Sequence, residues 1–205
     1  MKRIALFAMV LLFALAGLTP EGASGNEKKK KKKETNLPAV ERGPEHRVLE
    51  SLVGAFDAKV KFFINPDKPM ESTGTMTRKM ILGGNYLQES FQGDFLGKKF
   101  EGLGAIGYDA VKKQFVNTWC DSMSTNILIL HGTYDPDKKT FTQKGDDYDV
   151  NTKKKMKARD VLTIISADVQ TLSMYRHPEG ATEEFKVMDI TFTRKKVDEK
   201  KKGKK

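Results

Sequence analysis

The sequence predicts an all-β fold over residues 42–196: a single antiparallel up-and-down barrel of about ten strands, preceded by a short helix. Three observations predict it. Apolar residues alternate with polar ones at period two, and turn residues interrupt them at short intervals. One turn is used repeatedly: Tyr108 to Phe115 and Tyr134 to Phe141 both read Y-D-x-x-K-K-x-F, and Tyr148-Asp149 with Lys153 to Met156 is a looser third copy. Finally, parity places a cation, Arg194, on the apolar face of the last strand, while the first strand opens with Phe56 on its own apolar face. Adjoining end strands would let the guanidinium lie over that ring and close the sheet.

The elements follow in order. Gly43-Pro44-Glu45 reads as a helix start, with proline at the first helical position and a carboxylate in the first turn. Val48, Leu49 and Leu52 give the helix an apolar side, and Gly54 is expected to stop it. The first strand alternates Phe56, Ala58, Val60 and Phe62 with Asp57, Lys59 and Lys61. After the Asn65-Pro66-Asp67 turn, strands are expected at 72–81, 86–92 and 99–108. Gly102, Gly104 and Gly107 in the last of these mark a bend, a bulge or a close approach by another chain or a ligand, with barrel curvature the plainer cause. Further strands are expected at 115–121, 127–134, 140–147, 157–166, 169–176 and 184–194, with His177 to Gly180 linking the final pair. Between 115 and 121 both faces are half apolar, so period two leaves the inward side open there.

The order of a short helix, Gly54-x-Phe56 opening the first strand and Arg194 ending the last resembles the closure signature of the calycin superfamily, which includes the lipocalins; phenylalanine stands where tryptophan is usual. The chain as a whole is similar to a bacterial family, domain of unknown function 1579. The matching residues are Gly43 to His46, Met80 to Gly84, Phe100 to Gly102, Gly107 to Asp109, Trp119 to Thr125, Phe185 to Met188 and Thr193 to Lys196. The resemblance implies a calycin-like barrel and brings no established activity.

The two ends of the sequence differ from its middle. Residues 1–25 read as a secretory signal: Lys2 and Arg3, an apolar stretch from Ile4 to Leu18, then small residues with cleavage expected after Ser24 or Gly25. A retained anchor is the alternative, although the apolar stretch is short for a bilayer span. Residues 26–41 form a lysine-rich linker with Lys28 to Lys33 in a row, and residues 197–205 a lysine-rich tail. Residues 26–41 and 195–205 together hold +8 of the net charge of +10, leaving residues 42–194 nearly neutral at +1. Runs of like charge are expected to stay solvated, or to hold the protein on an anionic envelope surface or partner. They lack interleaved aromatics, so specific nucleic-acid binding is not expected. Cys120 is the single cysteine, so no intrachain disulfide can form.

No catalytic motif is present. The sequence has no G-x-S-x-G elbow, and Gly102-Leu103-Gly104 continues a strand instead of opening a phosphate-binding helix. His46, His131 and His177 have no metal-ligand spacing, so neither a metal nor a cofactor is expected; haem through a single histidine is the one alternative, with His131 the better candidate. Glu89 shares a face with Leu87 and Phe91, as an inward carboxylate or a strand-end charge. The reading is an exported, non-catalytic protein that binds a small, partly apolar molecule in the barrel. Trp119, Tyr108 and Phe91 would form its wall, and Asp121, Ser122 and Thr125 would orient the ligand. For the segment from Trp119 to Thr125 a turn that satisfies its own backbone is the competing account.

Overall fold

A computed structural model describes residues 42–95, 97–149 and 152–196; the signal, the lysine-rich linker and the tail lie outside the described residues. Helix α1 (Pro44–Ser51) is followed by β1 (Gly54–Phe62), β2 (Met70–Ile81) and a single 3-10 turn at Leu82–Gly84. Then come β3 (Tyr86–Phe95), β4 (Lys98–Asp109), β5 (Gln114–Asp121), β6 (Leu128–Asp135) and β7 (Thr140–Tyr148). The last strands are β8 (Lys155–Ile164), β9 (Val169–Pro178) and β10 (Phe185–Arg194). All neighbours are antiparallel and pair in chain order, and β1 bonds β10 to close the barrel. Closure leaves no unpaired strand edge along the sheet.

Two boundaries differ from the sequence reading for local reasons. The helix ends at Ser51 because Leu52 N–H bonds Leu49 O in a tighter final turn, and Gly54 already belongs to β1. A side chain at Gly54 would run into the Arg194 guanidinium, so glycine serves the seam there and not the helix end. His177 and Pro178 are part of β9, since both still face β8 partners, Lys157 and Met156.

The repeated turns are alike in detail. Asp109 Oδ1 accepts the Val111 and Lys112 N–H groups, each at 3.0 Å, and Asp135 Oδ1 accepts those of Asp137 and Lys138, also at 3.0 Å. The chain then passes through the left-handed region at Lys113 and Lys139 (φ 54° and 51°) before the next strand begins. The aspartate supplies the turn with acceptors, which is why the motif needs Asp at that place.

Connectivity puts five joints at one end of the barrel: the start of β1 with the end of β10, and the turns β2–β3, β4–β5, β6–β7 and β8–β9. Helix α1 packs on β2, β3 and β4, and its Leu49 and Leu52 join a core with Phe56, Leu87, Ile106, Phe115, Phe141 and Phe192. Each large apolar side chain buried there contributes about 1.5–3 kcal/mol. The opposite, far end carries the β1–β2, β3–β4, β5–β6, β7–β8 and β9–β10 connections.

Candidate functional site: the barrel lumen

Facing pairs in an antiparallel ladder share a side, so the register assigns every strand an inner face. It settles β5: Phe115 pairs with Tyr108 and Trp119 with Gly104, so Phe115, Asn117, Trp119 and Asp121 point inward. The Trp119 indole lies across Gly102 and Gly104, with Cε3 3.0 Å from where a Cβ on Gly104 would stand. Glycines in β4 therefore make room for the chain's single tryptophan. Its Nε1–H donates to Asp121 Oδ2 at 3.3 Å. Phe91 faces the same glycine, Gly102, and meets Phe100 edge-on at 5.8 Å.

The other sequence candidates lie elsewhere. Tyr108 is inward but at the helix end, two side-chain pairs and about 13 Å along β4 from Gly104; its ring packs on Phe115 at 5.1 Å. Burial, with Glu45 nearby, raises the Tyr108 phenol above its ordinary range. Ser122 is exposed and its hydroxyl accepts the Glu101 N–H at 3.1 Å. Asp121 Oδ1 also accepts the Met123 N–H at 2.9 Å, and Thr125 is exposed. The lumen thus brings together Trp119, Asp121 and Phe91, while Ser122 and Thr125 belong to the turn. At the seam, Phe56 faces Arg194 directly, with Cζ 4.7 Å from the ring centroid; Arg194 also donates to Val53 O at 2.9 Å and Ala167 O at 3.0 Å.

The lumen also holds a polar system that the sequence reading did not assemble. Arg78, 2 % exposed, donates to Glu89 Oε1 and Gln170 Oε1, each at 2.7 Å, and its Cζ lies 4.5 Å from the Phe192 ring. Further towards the far end, Arg176 donates to Asp147 Oδ2 at 2.7 Å and Asp160 Oδ1 at 2.8 Å. Burial pushes the Asp160 carboxyl above the usual carboxylate range, against the pull of Arg176. Between these ion pairs, Asn117 Nδ2 donates to Gln143 Oε1 at 3.2 Å. Parity alone would have marked Arg78 beside Met76 and Met80, and Asp160 between Ala158 and Leu162, as inward charges.

Towards the far end, inward residues such as Ser72, Phe95, Trp119, Asp121, Leu128, Asp147, Met156 and Met174 are half-buried, whereas inward residues of β1 are buried from Phe56 to Phe62. On the outer wall, a concavity of about 330 Å³ lies over Ser90, Leu103 and Cys120, and one of about 600 Å³ over Ile129, His131, Lys144 and Arg159. In the second, Arg159 is held by Glu184 and Lys157 by Asp146. His131 and His177 face outward, and His46 Nδ1 accepts the Gly43 N–H at 3.1 Å in the helix cap, so none of the three histidines faces the lumen. Among the described residues no group of three or more potential ligands could hold a metal ion, and no helix is long and apolar enough to cross a membrane.

A family model described as "Protein of unknown function (DUF1579)" matches residues 41–194. No curated protein matches the chain. Solved structures that share the barrel include two of low sequence identity. The S-type phycobiliprotein lyase CPES from Guillardia theta is 11% identical with a TM-score of 0.55, covering 76% of this chain and 95% of that one. Rv2717c from M. tuberculosis is 14% identical with a TM-score of 0.58, covering 76% of this chain and 100% of that one. At these identities the likeness is one of fold.

Proposed function

Taking as premise that the chain belongs to the DUF1579 family of proteins of unknown function, we propose that it is an exported, non-catalytic protein that binds a small, partly apolar molecule in the barrel lumen. One observation carries this reading: inward residues at the far end, such as Phe95, Trp119, Leu128 and Met174, stay half-buried while Leu49, Leu52 and Phe56 are fully buried at the helix end. Trp119 and Phe91 supply apolar wall, and Asp121 supplies an acceptor beside the indole. The likeness to the lyase supports the barrel and carries no activity with it.

The purified protein should show extra mass in a native spectrum that is lost on denaturation. Trp119→Ala should keep the fold and weaken retention of that mass about tenfold, the scale of losing one large aromatic contact. Unchanged retention in a folded Trp119→Ala variant would remove Trp119 from the site.

A second reading has its own support. The sequence is lysine-rich on both sides of the barrel, at Lys28 to Lys33 and again after Arg194. We propose that these lysines hold the protein on an anionic envelope surface. Co-sedimentation with phosphatidylglycerol vesicles should be strong at low salt, fall steeply as salt rises and vanish for residues 42–196 alone. Equal binding by the truncated protein would exclude the tails.

A further inference from the structure

Among the described residues, three buried side-chain polar atoms lack a partner: Asn117 Oδ1, Gln143 Nε2 and Gln170 Nε2. All three are amide atoms on inward positions. Such a group costs about 1–3 kcal/mol if nothing meets it, and proteins leave few of them. Two belong to one pair. Asn117 on β5 and Gln143 on β7 reach each other diagonally across β6, where Gly132, the residue facing Gln143, has no side chain in the way. Their mutual bond uses one donor and one acceptor, leaving one of each. Rotating both amides by half a turn exchanges the atoms but again leaves one donor and one acceptor. The pair therefore offers complementary hydrogen-bonding groups in either orientation.

The surrounding charges narrow what can meet it. Each luminal guanidinium already has its carboxylates: Arg78 has Glu89, and Arg176 has Asp147 and Asp160. With Asp121 counted as well, four inward carboxylates against these two guanidiniums leave the lumen negative. A carboxylate or phosphate ligand would enter without a free cation to meet it, at high cost in a site of low dielectric. A neutral group would not. Trp119, two residues along β5 on the same inner face, has its indole over Gly102 and Gly104 on the β4 side.

We propose that the Asn117–Gln143 pair is the recognition point for an uncharged planar group bearing a donor and an acceptor on one edge, as a lactam or cis-amide ring does. This rests on the lumen-binding reading above and adds the ligand's chemical class to it. Gln143, 4 % exposed, and Asn117 set the orientation of that edge. Fatty-acid-like anions are excluded by the same charge balance.

The test compares three probes on the full chain, following Trp119 fluorescence and the side-chain amide signals of Asn117 and Gln143 by nuclear magnetic resonance. The probes are 2-quinolone, N-methyl-2-quinolone and decanoate. 2-Quinolone should bind about tenfold more tightly than the N-methyl compound, which keeps the ring and acceptor but lacks the donor. It should shift both amide signals, and decanoate should not bind. The double variant Asn117→Leu/Gln143→Leu, in which neither amide of the pair remains, should bind both quinolones equally.

Equal binding of the quinolones by the unaltered chain overturns the amide assignment while leaving lumen binding standing. Failure of both to bind overturns the assignment, and if no resident mass is found either, the lumen-binding reading falls with it. Tight binding of decanoate overturns the charge argument. Amide signals that respond only to solvent exchange, with no probe bound, identify the pair as a buried water site.

Discussion

Arg78 shows how one residue can be both charged and part of the core. Its guanidinium is satisfied by Glu89 and Gln170 and lies over Phe192. Removing one partner of such a pair costs far more than the pair contributes, because the other charge stays buried. Asp160 is a different case, since burial holds its carboxyl above the usual range. The native protein therefore binds that proton more tightly than the unfolded chain. Stability from this group grows as pH falls through the raised value towards the ordinary 3.8, and is lost as pH rises. Glu184, lowered by its Arg159 hydrogen bond, works in the opposite sense and loses stability in acid. Urea titrations from pH 7 to pH 4 should show Asp160→Asn, which mimics the neutral acid, more stable than the natural protein at pH 7 and the gap between them narrowing as pH falls. A constant gap would mean Asp160 titrates normally.

At the scale of elements, the paired hairpins give a comparison within one molecule. Lys113 and Lys139 hold left-handed backbone that costs an L-residue about 1 kcal/mol, and both side chains are exposed. Lys113→Gly and Lys139→Gly should each raise stability by about 0.5 kcal/mol, the relief being partly offset by glycine's greater freedom when unfolded. The two gains should add, since the hairpins share no partners. Thermal unfolding of the single and double variants checks this; destabilisation by either would show that the lysine side chain matters more than its backbone. The hairpins were plain in the sequence because turn chemistry is local. The face of β5 was not: Phe115, Asn117 and Trp119 are no more apolar than Val116, Thr118 and Cys120. The register with β4 decides it, setting Trp119 opposite Gly104, where the glycines leave space for an indole. The luminal ion pairs were half legible. Parity reveals inward charges such as Arg78 and Arg176, but their partners Glu89, Gln170, Asp147 and Asp160 come from other strands, which one-dimensional periodicity cannot match.

For the whole molecule, the seam between β1 and β10 joins residues at opposite ends of the described chain, through contacts such as Phe56 with Arg194. Contacts of such long sequence separation have high closure entropy and tend to form late in folding. Arg194→Met removes a cation–π contact and two hydrogen bonds to carbonyls, a loss of about 2 kcal/mol. If the seam closes after the main barrier, the loss should appear as faster unfolding with a nearly unchanged folding rate in denaturant-jump kinetics. A slowed folding rate would instead place the seam in the folding nucleus. The seam's geometry also has a mechanical consequence. The start of β1 and the end of β10 are antiparallel neighbours at the same end. A force pulling the two chain ends apart acts on their hydrogen bonds one at a time, as a zip opens, and never loads the whole ladder in shear. The barrel would resist heat through its full core yet yield to weak tension at this one seam.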